Sequence, residues 1–344
     1  MDRRNWMQMI AAGTAAGTIR GLNSIALGNE TTGNKQRDYQ INNSSNQAKS
    51  DYDVNRDSKG SFPFRFSLNT STIRGQKLSI EEEINIAAKT GYDGIEPWIQ
   101  ELKQYNQEGK SLKDLGKKIK DAGLAVPDAI GFPEWIVDDA TKRKQGFEEA
   151  KRNMEMVHTI GGTHLAAPPV GATNQKGINL MAIADRYGEL VQLGEKYGVI
   201  PIVEVWGFSQ TLHRLGETIL VAMESHQKKA CVLPDIYHLY KGGSGFSSIK
   251  LLQQIAIGIF HMNDYPNISA DKITDADRVY PGDGIAPLKS VLQALDKMNY
   301  RGFLSLELFN RTYWKQDATL VAETGLKKMR AVVSEALTEK SKKS

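Results

Sequence analysis

The sequence predicts an α/β fold, a single-domain (β/α)8 TIM barrel. From Ser61 onward, short apolar runs alternate with amphipathic stretches of helical length, the pattern of a parallel sheet whose crossovers are helices. Eight such pairs can be traced through residues 61–340, enough for a barrel of about 250 residues with some loop excess. No Gly-x-Gly-x-x-Gly turn follows any of the strands, which removes the commonest reason to prefer the runner-up, an open doubly wound sheet.

Two segments precede the barrel. Residues 1–28 read as a twin-arginine export signal, with Arg3-Arg4 ahead of Trp6 and a mild apolar stretch from Met9 to Ile19. That stretch is too short and too rich in Gly and Thr to span a bilayer stably. With no cysteine after it, a bacterial lipid anchor is not expected, and the protein is predicted to be exported to the periplasm, or else cytoplasmic. Residues 29–60, rich in Asn, Ser, Gln and Lys, read as a disordered polar linker.

The first strand is placed at Phe64–Leu68. Ser79, with Glu82 three residues on, forms a capping box, and the helix it starts ends at Gly91. Then come a strand at Gly94–Glu96, a helix from Ser111 to Ala122 stopped by Gly123, a strand at Leu124–Ile130, a helix at 141–160 and a strand at His164–Ala167. A helix from Leu180 to Tyr197, closed by Gly198, leads to the fifth strand, Val199–Val205. The last strands are Cys231–Asp235, Gly258–Met262 and Gly302–Leu308, with helices at 215–227, 247–254, 287–298 and 317–338 between and after them.

Composition narrows the function. Of 44 Lys/Arg and 40 Asp/Glu, the first 60 residues hold eight and six, which leaves 36 and 34 for the barrel. A near-neutral barrel gives no support for a nucleic-acid partner, and the basic close at Lys340 reads as a solvated tail. Cys231 is the only cysteine, so no intrachain disulfide can form. Its apolar setting marks a buried structural thiol rather than a nucleophile.

Side chains at the C-terminal ends of barrel strands converge on one face. In the late strands these are Glu204, Asp235, His261 and Glu307. Each is polar within an apolar run, which is costly to bury unpaired and is explained if the four share a cation. Taken singly, each has a bland alternative as a helix N-cap or ion-pair partner. Three carboxylates and one imidazole suit Mn²⁺, Mg²⁺ or Co²⁺ and are less like the Cys/His sets of structural zinc.

The segments Asp235-Ile-Tyr-His238, His261-Met-Asn-Asp264-Tyr-Pro, Thr274 to Gly284 and Ser305-Leu-Glu-Leu-Phe309 with Tyr313 resemble the xylose-isomerase-like sugar isomerases and epimerases. Within them the nearest likeness is to inosose (2-keto-myo-inositol) isomerases. The resemblance implies one divalent metal, Mn²⁺ first and Mg²⁺, Co²⁺ or Zn²⁺ otherwise, held by Glu204, Asp235, His261 and Glu307. It also implies that His238 and Arg278 hold substrate oxygens. Proton transfer beside a carbonyl creates an enediolate that a cation stabilises, with Glu204 and Glu307 as the expected acid/base pair. One departure is the loop Trp206 to His213, where Gln210 cannot act as a base and His213 reads as structural. Glu96, ending the second strand, is expected to hydrogen-bond a sugar hydroxyl, with a role at a helix N-terminus left open. Trp206, Trp98 and Trp135 are candidates to stack on a sugar face or to close the barrel top.

Several functional readings therefore stand side by side. The leading one is a metal-dependent isomerase or epimerase acting on a small keto-sugar, inosose or keto-glycoside. A lyase or dehydratase would use the same site. An abasic-DNA endonuclease would need further early-strand His ligands, and a non-catalytic sugar-binding barrel would have lost ligands. A homo-oligomer remains open.

Overall fold

The computed structural model describes residues 62–338 apart from Ile255. The predicted export signal at 1–28, the linker at 29–60 and the basic tail lie outside the described residues.

The strands are β1 (Arg65–Asn69), β2 (Gly94–Glu96), β3 (His164–Ala167), β4 (Ile200–Glu204), β5 (Cys231–Leu233), β6 (Ala256–Ile257), β7 (Phe260–Met262) and β8 (Phe303–Leu306). Every pairing is parallel, in two four-stranded arcs ordered β2-β1-β8-β7 and β3-β4-β5-β6. One junction between the arcs is a bridge between Asp235 and His261. The other runs through residues 124–130, which bridge to β2 at Gly94 and Ala125 and accept from Ala166 N at Ala129 O, 3.0 Å. The ring closes, as a barrel requires.

Two expected strands are corrected in detail. Residues 124–130 occupy a stave of the barrel without forming a continuous strand, because Pro127 has no N–H to give to a ladder. The strand expected at Gly258–Met262 begins only at Phe260, as β7 on β8, and a separate two-residue strand, β6, precedes it on β5. Between them lies Gly258, where a Cβ would fall 2.7 Å from Ile202 Cδ1.

The helices are α1 (Ile80–Thr90), α2 (Ile99–Gln107), α3 (Leu112–Asp121), α4 (Ala140–Thr159), α5 (Leu180–Tyr197), α6 (Leu215–Glu224), α7 (Ile236–Lys241), α8 (Leu288–Lys297) and α9 (Ala318–Thr338). The capping box before α1 is present: Glu82 N donates to Ser79 Oγ at 3.3 Å, and Ser79 N to Glu82 Oε2 at 2.8 Å. Gly91 and Gly198 end α1 and α5 in the left-handed conformation, φ 88° and 68°. The stretch expected as a helix at 247–254 is instead a 3-10 helix over Phe246–Gln254. Sequence reasoning missed α2 and α7, which start directly beyond Trp98 and Asp235 at the barrel mouth.

Two apolar layers hold the barrel. The larger packs the helices onto the outside of the strands, and the smaller fills the barrel interior with Ile130, Ala166, Ile202, Cys231, Leu233, Ile259 and Phe303. Burial pushes the Cys231 thiol up to about 12, so it is an inert part of this plug. Side chains along a strand point alternately to opposite faces. The residue two beyond a plug residue therefore also points inward: Glu204 above Ile202, Asp235 above Leu233, His261 above Ile259, and Ser305 then Glu307 above Phe303. An apolar floor with a polar ring above it follows from this alternation.

Candidate active site

His261 sits at the hub of the ring. Its Nε2 lies 2.9 Å from Glu96 Oε1, while Nδ1 lies 3.1 Å from Glu307 Oε2 and 3.6 Å from Asp235 Oδ2. One ligand atom each from Asp235, His261 and Glu307 falls within 4.8 Å of the others. Three of the four predicted ligands are thus brought together. Glu204, at the end of β4, is buried and close enough for its charge to interact with those of His261, Glu307 and Asp235, but its oxygens lie outside that tight group.

The donor set fits a divalent cation. Glu204 Oε2 and His261 Nδ1 are both buried with no hydrogen-bond partner; Nδ1 is near Glu307 but not aligned for a hydrogen bond. Orphaned buried polar atoms are uncommon, and here His261 Nδ1 lies between the carboxylates of Asp235 and Glu307. A cation bound by Asp235, His261 and Glu307, with Glu204 as the fourth ligand, would satisfy them, and carboxylate with imidazole suits Mn²⁺, Mg²⁺, Co²⁺ or Zn²⁺.

Arg278 closes the ring. Its guanidinium is 1% exposed. Nη1 donates to Asp235 Oδ2 at 2.8 Å and to Glu307 Oε2 at 2.9 Å, and Nη2 donates to Asp275 Oδ1 at 2.6 Å. The loop carrying it is tied down by Asp264, whose carboxylate accepts from the backbone N–H of Tyr265, Gly282, Gly284 and Ala286 at 2.8–3.1 Å. His238 stands 3.2 Å from Arg278 Nη2 through Nε2, and its Nδ1 accepts from Gly207 N at 3.3 Å. Both neighbours can only donate, Gly207 N–H toward Nδ1 and the Arg278 guanidinium toward Nε2, and a neutral imidazole has a lone pair for only one of them. Both Nη2 hydrogens of Arg278 are directed at protein atoms, Asp275 Oδ1 and His238 Nε2, while its buried Nε has no hydrogen-bond partner.

Electrostatics follow burial and these pairings. Burial pushes Glu204 up to about 8, and Glu307 and Asp235 add to the shift. Asp235 is held below the ordinary carboxylate range: burial opposes this, but Arg278 and His238 outweigh it. Burial also opposes charge on His261, yet Glu307 and Glu96 raise it well above the usual imidazole value. Burial lowers His238, assisted by Arg278. In the metal-free protein burial thus favours the protonated form of two carboxyls, Glu204 and Asp128, the latter also raised by Glu96.

The remaining predicted residues fall in different places. Glu96 is fully buried, and both its oxygens are held by protein groups: Oε1 by His261, Oε2 by Asn69 and Ser305. Trp206 lies in an aromatic belt around the mouth: Trp98 to Phe132 at 5.2 Å, Phe132 to Trp206 at 6.0 Å, Trp206 to Phe208 at 5.0 Å and Trp98 to Phe309 at 6.1 Å between centroids. Arg74 lies over Trp98 at 3.5 Å. Trp135 is excluded from this belt, being fully buried with its Nε1 donating to Pro168 O. Gln210 and His213 line a surface hollow beside the ring with Phe208 and Lys241.

Sequence reasoning missed Asn69, which donates to Glu96 and Glu307, and Asn263, which donates to Asp235 Oδ2 at 3.0 Å. It also missed Asp275 and Asp128. The signal for Asn69 and Asn263 was available, since each is a polar residue closing an apolar strand. Asp275 precedes Arg278 by three residues, a spacing that lets the two side chains meet.

Fold and site together define a (β/α)8 barrel with a buried cluster of carboxylates and an imidazole at the C-terminal ends of its late strands. The chain belongs to the xylose isomerase-like TIM barrel family, whose model matches residues 84–332. It is 30% identical over 190 residues to inosose isomerase of Bacillus subtilis strain 168, covering 54% of this chain and 68% of that protein. It is 23% identical over 293 residues to fructoselysine 3-epimerase of Escherichia coli O157:H7, covering 76% of this chain and 96% of that one. The crystal structure of the IolI protein with a bound zinc atom superposes with a TM-score of 0.73 at 24% identity, over 80% of this chain and 99% of that one. These relatives are sugar isomerases and epimerases, and the fold they share is the one described here. Among the described residues no helix is long and apolar enough to cross a membrane.

Proposed function

We propose that the protein is a divalent-metal-dependent isomerase or epimerase of a small keto-sugar, inosose or keto-glycoside, transferring a proton at the carbon beside the carbonyl. The observation that carries this reading is the buried cluster of Asp235, His261 and Glu307 with the unpartnered Nδ1 of His261 among them. Asp235, His261, Glu307 and Glu204 would hold one cation, which when bound supplies positive charge to the oxygens of an enediolate and so lowers the barrier to its formation.

The chain's own residues do the rest. Glu204 is the group that returns the proton on one side of the reacting carbon. Glu307, oriented by Arg278 Nη1 and Asn69 Nδ2, is the base that removes the proton from the other side. His238 and Arg278, in contact with one another beside the carboxylates, are the side chains that hold a substrate oxygen in this reading. The belt of Trp98, Phe132, Trp206 and Phe309 offers apolar surface to C–H faces of the sugar and excludes water.

The test is incubation of the metal-loaded protein with a panel of keto-sugars and inososes in deuterium oxide. Deuterium is expected at the carbon beside the carbonyl, dependent on the metal. Its absence from every substrate in the panel would remove the proposal, and loss of a group from the substrate would replace it with a lyase. The predicted export signal would make the substrate periplasmic, which a reporter fusion of residues 1–60 checks.

A further inference from the structure

Glu96 has a geometry the proton-transfer reading leaves unused. Its side chain is fully buried at the end of β2, and residues from three other strands fix its plane. Oε2 accepts from Ser305 Oγ at 2.5 Å and from Asn69 Nδ2 at 2.9 Å, while Oε1 lies 2.9 Å from His261 Nε2. An ionised carboxylate is an acceptor only, so the hydrogen of the last contact sits on Nε2. In the neutral ring that a metal requires, the lone pair is then on the other nitrogen, Nδ1, which faces Asp235 Oδ2 and Glu307 Oε2.

We infer that Glu96 is a positioning residue of the metal centre: it holds His261 in the Nε2–H tautomer, so that Nδ1 is offered to one divalent cation together with Asp235 and Glu307. This rests on the metal-dependent reading above. A carboxylate behind a ligating imidazole fixes its ring orientation and raises its basicity, and loss of such a partner costs metal affinity although it never touches the metal. Ser305 and Asn69 extend the chain of orientation one step further, because they leave Glu96 a single way to face His261.

A rival occupant exists. Asp128 is buried with neither carboxylate oxygen hydrogen-bonded, and it groups with Glu96 and His261 within 4.8 Å. A cation there would need Nε2 as its ligand while Nδ1 served the other cluster. The imidazole would then have to give up both ring protons. A hydrogen on Nε2 donated to Glu96 requires no such ionisation.

The experiment uses the full chain, freed of metal and titrated with Zn²⁺ against a chromophoric chelator, as wild type, E96Q, S305A and D128N. Long-range ¹⁵N NMR of the zinc-loaded wild type reads the tautomer of His261 independently of any variant. Expected are one equivalent of zinc in the wild type, Nε2 bearing hydrogen with Nδ1 on the metal, and affinity weakened about 10- to 100-fold in E96Q with a cooperative melt retained in the metal-free variant. S305A is expected to lose less than E96Q, and D128N to keep one equivalent. The inference is overturned if E96Q keeps wild-type affinity, if Nε2 is the metal-bound nitrogen, or if the wild type takes two equivalents and D128N one. A wild type that takes up no divalent metal overturns the metal reading itself, and this inference with it.

Discussion

Replacing Arg278 with alanine tests the site most directly. In the metal-free protein this buried guanidinium is the counter-charge shared by Asp235 and Glu307, at 2.8 and 2.9 Å. Removing one partner of a buried ion pair leaves an uncompensated charge at a cost of roughly 3–5 kcal/mol. R278A without metal should therefore lose about that much in urea unfolding. A cation among the same carboxylates supplies the missing charge, and saturation at a hundred times its dissociation constant stabilises the native state by about 2.7 kcal/mol. The expected result is that Mn²⁺ stabilises R278A by more than it stabilises the wild type, and that the variant still binds metal while turnover falls at least about a hundredfold through loss of the substrate clamp. Equal metal stabilisation of both proteins, or a metal-free R278A as stable as the wild type, would refute the assignment of Arg278 as the charge shared between these carboxylates.

Other measurements follow from the same geometry. Glu204 is raised to about 8 by burial, so the native state holds a proton that the unfolded chain releases near pH 4.5; stability of the metal-free protein is full below that pH and falls as pH rises toward 8, by up to about 1.4 kcal/mol per unit. His261, also raised, adds in the same direction, and E204Q should flatten the part due to Glu204 in urea titrations from pH 5 to 8. Metal affinity should rise over this range, because binding displaces protons, which a chelator competition at three pH values reads. D264A removes the acceptor of four backbone N–H groups in the Arg278 loop and should cost about 3 kcal/mol or more by denaturation. G258A sets a Cβ 2.7 Å from Ile202 and should destabilise by about 1–3 kcal/mol in the same assay.

Much of the fold was legible in the sequence, and the misses have physical causes. The strand His164–Ala167 and the helix Leu180–Tyr197 stand where alternation, apolar period and the terminal Gly198 place them. Residues 124–130 look like a strand because they are apolar, but Pro127 withholds the N–H that a ladder needs. The short α7 is invisible to a periodicity argument over six residues; it exists because Asp235 Oδ1 accepts from His238 N at 2.8 Å and starts the turn. For Glu96 the sequence leaves a sugar hydroxyl and a helix N-terminus both open, because a strand-end acid looks the same in sequence whether its partner is a substrate or a histidine from a distant strand.

What the sequence determined by itself was the period: inward and outward alternation along each late strand placed an acid or imidazole two residues above an apolar plug, and that is local geometry. What the tertiary structure alone decided was who faces whom. Asn69 and Glu307 meet across 238 residues of chain, and His261 meets Glu96 across 165. Closing a barrel makes neighbours of its first and last staves, and no local pattern in the chain records which atoms that closure will bring within three ångströms.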